Sequence, residues 1–194
     1  MTGTGIAPLP ALDFKVHPAT SSFAESQQAY LAKHPDPRYN HLATGAVVFD
    51  MSHSTVPRIL LVQRAAADSM PNRWEIPGGG CDNEDESILY AVARELWEEA
   101  GLKAKSMLHT VGDPHIFSSR SGKKICRFTF LVEVETNSDD GFAVTLDPKE
   151  HQQFVWATEE DVKAKKSGNI ELQYTTQELE NTIIEAFNAI ERQS

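Results

Sequence analysis

The chain has 194 residues, 40% of them hydrophobic and 24% charged, which suits one globular domain and excludes wholesale disorder. A formal charge of −10, from 28 acidic against 18 basic residues, disfavours general binding to a nucleic-acid backbone, and no nucleic-acid partner is expected. The apolar runs, such as residues 59–62, fall far short of the ~20 residues that span a bilayer, and Pro8 and Pro10 interrupt an N-terminus without a signal-peptide pattern. Two cysteines, Cys81 and Cys126, make no disulfide framework, so a reduced cytoplasmic setting without a membrane partner is the expectation.

Residues 1–20 have no periodicity and predict a poorly ordered lead-in. Residues 22–25 resemble a capping box, and Phe23, Gln27, Tyr30 and Leu31 follow at helical spacing. That helix is predicted to end near His34, before Pro35 and Pro37. Residues 1–41 are therefore read as an N-terminal extension with a short helix, and 42–194 as the main domain. Strands are predicted at 46–49, 59–62 and 74–76, the last stopped by Pro77-Gly78-Gly79-Gly80. A helix follows, with Asn83 as its cap, Glu86 three residues on, and its end at Gly101. From Cys126 to Val134 the apolar residues alternate, and this strand is predicted to pair with 115–117 through a loop containing Gly122. Residues 154–156 read as a further strand, and 158–161 open a short helix closed by Gly168. The last helix starts near Thr176, with Leu179, Ile183, Ala186, Phe187 and Ile190 as its stripe. Mixed strands between helices, without strict βαβ alternation, predict an α/β sandwich.

The chemistry is concentrated in residues 80–102. On a helix Glu95, Glu98 and Glu99 stand at i, i+3 and i+4, so their carboxylates share one face beside the apolar stripe of Ile88, Leu89, Val92, Ala93 and Leu96. Like charges at that spacing cost a few tenths of a kcal/mol when exposed, and more when half-buried. A hard divalent cation resolves the conflict, since carboxylate oxygens suit Mg²⁺ or Mn²⁺. The three glycines just ahead let backbone approach a ligand, and a helix N-terminus favours anions. An acidic run is usually a solvated face, but metal-assisted phosphate chemistry accounts for both features together.

The segment has the pattern Gly80-x5-Glu86-x7-Arg94-Glu95-Leu96-x-Glu98-Glu99-x-Gly101-Leu102, and it resembles the Nudix box at every defined position. Seven fixed letters arise by chance on the order of once in 10⁸ starting points. The resemblance to the Nudix hydrolase superfamily covers about residues 42–190. It implies an α/β/α sandwich around a mixed sheet, and a metal-dependent hydrolase in which water attacks a diphosphate bond of a nucleoside diphosphate-linked compound or another organic diphosphate. It also implies Mg²⁺ or Mn²⁺ held by Glu95, Glu98, Glu99 and the Gly79 carbonyl, with Arg94 orienting the glutamates. Glu86 points away from the cluster and reads equally well as a capping residue. Glu150, in the loop before the strand at 154–156, stands where the family often places a catalytic acid, whereas the neighbouring His151 reads as structural or substrate-facing. Arg64, Gly78, Gly79, Gly80 and Phe117 are candidates for contact with the small-molecule diphosphate. Trp74, Trp97 and Trp156 read as packing residues, and Arg120, Lys123 and Lys124 as a solvated hairpin turn. A homodimer is left open.

Two other classes share this fold. One is an isomerase of the isopentenyl-diphosphate type, which uses a cysteine, but Cys81 and Cys126 lie in no such motif. The other is a non-catalytic nucleotide-binding module, whose members usually lose box glutamates; none is missing here. The extension, Arg64-Ala65-Ala66 and the run from Trp74 to Gly79 resemble Nudix proteins of fungal type.

Overall fold

The apolar run at 59–62 has no polar face because the strand that holds it is covered on both sides: Leu60 and Val62 enter one hydrophobic core, Ile59 and Leu61 a second. The computed structural model describes residues 9–52, 55–136 and 141–191. In chain order the elements are β1 (Lys15–Val16), a 3₁₀ turn (Pro18–Phe23), α1 (Gln27–Lys33), β2 (His41–Val47), β3 (Phe49–Asp50), β4 (Arg58–Arg64), β5 (Trp74–Glu75), α2 (Ile88–Ala100), β6 (Ala104–Thr110), β7 (His115–Ser118), β8 (Lys124–Val134), β9 (His151–Thr158), α3 (Glu159–Ala164), β10 (Lys166–Ser167), β11 (Ile170–Glu171) and α4 (Gln177–Glu191).

One mixed sheet has the order β1-β6-β8-β2, with β7 also on β8; β2 runs parallel to β8 and β6 antiparallel to it. A second sheet is antiparallel, with β4 between β3, β5 and β9. Helix α2 buries Ile88, Leu89, Val92, Ala93 and Leu96 in the first core, against Leu42 and Ala46 of β2 and the Phe128–Phe130–Val132 face of β8. Helices α3 and α4 close the second core with Val162, Leu179, Ile183 and Phe187 over Ile59, Leu61, Trp74 and Ile76. The result is an α/β fold with a mixed sheet between helical layers. No helix among the described residues is long and apolar enough to cross a membrane.

Several local expectations change. The short N-terminal helix is capped by Ser26, whose side chain accepts from the Ala29 N–H, and the residues read as a capping box instead end the 3₁₀ turn. The lead-in is no bystander: β1 pairs parallel with β6, and Phe23 packs edge-on against Phe128 and Phe130. Residues 1–8 of that lead-in lie outside the described residues. The catalytic-type helix starts later than Asn83, since Ser87 is its cap and accepts from the Tyr90 N–H. Glu86 therefore lies before the helix, exposed, and caps nothing. α3 is closed by Lys165 in the left-handed conformation, not by Gly168, which turns β10 into β11.

A candidate diphosphate-hydrolysing site

Three segments meet at the site: the glycine loop, the C-terminal half of α2 and the turn before β9. The loop is laced to β2. The Thr44 N–H donates to the Gly79 carbonyl at 2.8 Å, Ala46 N–H to the Pro77 carbonyl at 2.8 Å, and Cys81 N–H to the Leu42 carbonyl at 3.0 Å. At Gly78 φ is +149°, and a Cβ there would stand 2.2 Å from the Thr44 carbonyl oxygen, a backbone atom that cannot step aside. Gly78→Ala is accordingly expected to lower Tm well below that of Gly80→Ala, whose added Cβ meets nothing within 4 Å. Melting curves of the two variants check this, and equal curves would mean that the loop is not held against β2.

Helix α2 aims its carboxylates at this loop. Glu99 is buried, and its Oε2 accepts the Gly78 N–H at 2.6 Å, so that N–H faces a carboxylate and not a substrate phosphate. Glu95 lies so close to Gly79 that a Cβ on that glycine would sit 2.7 Å from its carboxyl group. Glu98 is different, with its side chain 48% exposed and its carboxylate 2.9 Å from Arg94. Arg94 ties the segment together: it donates from Nε and Nη2 to both oxygens of Asp85 at 2.9 Å, from Nη1 to Glu95 and Glu98, and from Nη2 to the Gly80 carbonyl at 3.0 Å. Asp85, buried between the glycines and the helix, is a member of the site that the sequence reading missed.

The turn at 147–151 supplies the third side. Asp147 accepts the Glu150 and His151 N–H groups, and the Glu150 carbonyl accepts from Ala65. This leaves the Glu150 side chain exposed and the His151 ring buried. Glu99, Glu150 and His151 each offer a ligand atom within 4.8 Å of the others. His151 Nε2 sits 3.3 Å from Glu75 Oε1, while its Nδ1 is buried with no hydrogen-bond partner. Glu75 in turn accepts from Arg64, which also donates to Asp68 at 2.6 Å. Arg64 is thus committed to two carboxylates and is not a free phosphate binder. Glu75 had read only as strand.

The electrostatics follow from burial. Burial pushes the Glu95 carboxyl up to about 7, against the pull of the Arg94 guanidinium. Glu99 is driven well above the ordinary range, also by burial, with Glu95, Glu75 and Glu150 adding repulsion against the Gly78 hydrogen bond. Burial pushes the Cys81 thiol up to about 12 and the Cys126 thiol to about 11, so neither is held as a thiolate. Trp74 is fully buried and Trp156 packs on Phe142, as packing residues should. Arg120 donates to the Ser69 carbonyl and so is not merely solvated. Beside the carboxylates, Arg64 and Glu75 form one end of a cavity of about 360 Å³ that also takes in Phe117 and His115 of β7, Arg127 of β8 and Leu179 of α4.

A family model described as NUDIX domain matches residues 39–179. The chain belongs to the Nudix family. Across 135 residues this Nudix chain is 32% identical to the CTP pyrophosphohydrolase of Escherichia coli strain K12, covering 69% of the chain and 84% of that protein. Mouse diphosphoinositol polyphosphate phosphohydrolase 3-alpha is 34% identical over 82 residues, 42% of this chain and 45% of that one. Among solved structures, a Nudix hydrolase from Nitrosomonas europaea superposes with a TM-score of 0.56 at 21% identity, covering 77% of this chain and 89% of that one, a likeness of fold. The chain is a Nudix hydrolase, and cleavage of diphosphate bonds is its general chemistry.

Proposed function

We propose that this Nudix hydrolase is a metal-dependent diphosphatase whose substrate is a nucleoside diphosphate-linked compound, a nucleoside triphosphate or another organic diphosphate. The observation that carries this reading is that Glu99, Glu150 and His151 each offer a ligand atom within 4.8 Å of the others, where Glu95 and Glu99 of α2 also meet the glycine loop. Such a donor set fits Mg²⁺ or Mn²⁺: Glu95 and Glu99 would hold the ion, with Glu98 through its exposed carboxylate and Gly79 through the carbonyl lone pair not used by Thr44. When bound, such an ion would lower the pKa of water and neutralise the charge that develops on the phosphate. Arg94 holds Glu95 and Glu98 in one orientation, so the carboxylates need no rearrangement when substrate arrives. Glu150, exposed at the edge of the cluster, would take the proton of the attacking water on a carboxylate oxygen.

Residues 42–194 are the catalytic domain in this reading, and 1–41 its N-terminal extension. Two buried free thiols suit a reducing cytoplasmic setting. The relative named a CTP pyrophosphohydrolase makes nucleoside triphosphates the first class to assay. Phosphate or pyrophosphate release is measured from dinucleotides, nucleotide sugars, nucleoside triphosphates and prenyl diphosphates, with Mg²⁺, Mn²⁺ or excess EDTA. Turnover of at least one class with metal, lost in EDTA, is expected. Undiminished hydrolysis in EDTA would overturn the metal-dependent reading.

A further inference from the structure

The cavity beside the carboxylates contains a cation that nothing in the protein satisfies. Arg127 has no hydrogen-bond or ion-pair partner among the described residues, and its Nε is buried and unpaired. A guanidinium that lines a cavity with none of its donors paired by protein leaves the atoms facing that cavity free for an acceptor from outside the chain. The other guanidinium of the cavity, Arg64, has both Nη groups on carboxylates, Glu75 and Asp68, and only its buried Nε is unpaired. Arg127 stands opposite His115 in the β7–β8 pairing, so Phe117, two residues on, presents its ring on the same face of the hairpin. Phe117, Met70 and Leu179 give the same cavity apolar lining, while the acids Asp113 and Glu178 also line it. Apolar walls, a fork of donors and separate acceptors suit a flat heteroaromatic ring better than a phosphate group, which two acids would repel.

Resting on the proposed diphosphatase reading, we infer that this cavity takes the base of a nucleotide substrate and that Arg127 selects it. A guanidinium donates in parallel to a carbonyl oxygen beside an unprotonated ring nitrogen. Cytosine has that edge in O2 and N3, guanine in O6 and N7, and each also carries an exocyclic amine for Asp113 or Glu178. Adenine sets an amine beside its N7, and uracil has N–H between its carbonyls, so each would put a donor against Arg127. Cytosine and guanine nucleotides are therefore the preferred substrates. Glu75, shared by the cavity and by His151, leads from the base to the carboxylate cluster where the diphosphate lies.

The test compares the full chain with Arg127→Leu and Arg127→Lys. With Mg²⁺, kcat/KM for CTP or GTP is expected to exceed that for ATP and UTP by about tenfold or more, and both variants to cut that ratio by about tenfold, mainly through KM. In EDTA, where no turnover interferes, CMP or GMP should raise the Tm of the wild type more than AMP or UMP, and this difference should vanish in both variants. Because Lys keeps the charge but loses the fork, it carries the test should the Leu variant fail to fold. A ratio and a monophosphate shift unchanged in the variants would overturn the assignment, as would equal use of all four nucleotides by the wild type. Diphosphatase activity confined to compounds without a base, with no monophosphate bound, would overturn the cavity's role and leave the hydrolase reading standing. Selective monophosphate binding with no hydrolysis of any diphosphate would do the reverse.

Discussion

Glu99→Gln is expected to lower turnover by more than about 10²-fold, since disturbing a ligand's outer partner alone costs 10–100-fold. The change keeps an oxygen to accept the Gly78 N–H and removes the charge that burial opposes. In EDTA at pH 8 the variant should therefore melt no lower than the wild type, while its gain in Tm from Mg²⁺ should shrink. The pH dependence has a definite sign. Glu95 and Glu99 have carboxyls raised in the folded state, so the folded chain binds more protons than the unfolded one. That stability is complete below the unfolded value and is lost as pH rises through the folded one, which for Glu95 is about 7. Without metal, wild-type stability should thus fall between about pH 5 and 8, and less steeply in Glu99→Gln. With Mg²⁺, binding needs the ionised forms, so the metal-induced gain should grow over the same range. Paired melts across pH with each additive, beside an activity assay, check all of this. A variant with the wild-type rate and metal shift would make Glu99 an ordinary buried acid.

Arg94→Ala should be the most destabilising single change in the site, by about 3–5 kcal/mol, because it strips a buried carboxylate of its partner. The Arg94 side chain is only 12% exposed and that of Asp85 5%, so solvent cannot take over the two-pronged contact. Arg94→Lys keeps the charge without the fork and should recover only part of the loss. Asp85→Ala with Arg94→Ala completes a double-mutant cycle in urea, with EDTA present so that metal does not enter. The double variant should cost less than the sum of the two single changes, because Arg94→Ala alone leaves the buried Asp85 carboxylate without its cationic partner. A loss under about 1 kcal/mol for Arg94→Ala would make the contact equivalent to a surface ion pair.

What could be read ahead of the structure was whatever repeats along the chain. The spacing of Glu95, Glu98 and Glu99 on one helix face, the alternation of β8 and the hairpin around Gly122 are local patterns, and each is where it was expected. The starting point of α2 was not local. Asn83 and Glu86 look like a cap and its partner, but Asp85 is drawn into the interior by Arg94, nine residues later, and its Oδ2 accepts the Asp82 N–H. That turn delays the helix to Ser87. β6 escaped notice because Ala104–Thr110 mixes polar and apolar residues, its register on β8 being interrupted twice. Glu75, His151 and Arg127 are single residues on strands; only pairing across sheets gives them shared surroundings. The glutamates were legible as a set, while the cavity that receives the rest of the substrate was not.

The N-terminal segment has a consequence for how the site comes into being. The Glu25 carbonyl accepts the Ile88 N–H, satisfying one of the unpaired donors at the start of α2, and the Gln27 side chain bridges the Leu42 N–H and the Cys81 carbonyl. The same segment is held down by Phe23 against Phe128 and Phe130, roughly a hundred positions further along, a closure that is slow to reach. On a ribosome, the segment from β1 to α1 would wait for β8 to emerge before it could dock. Until then α2 and its glutamates would lack their anchor, so the hydrolase should gain a finished site late, in the same step that docks α1.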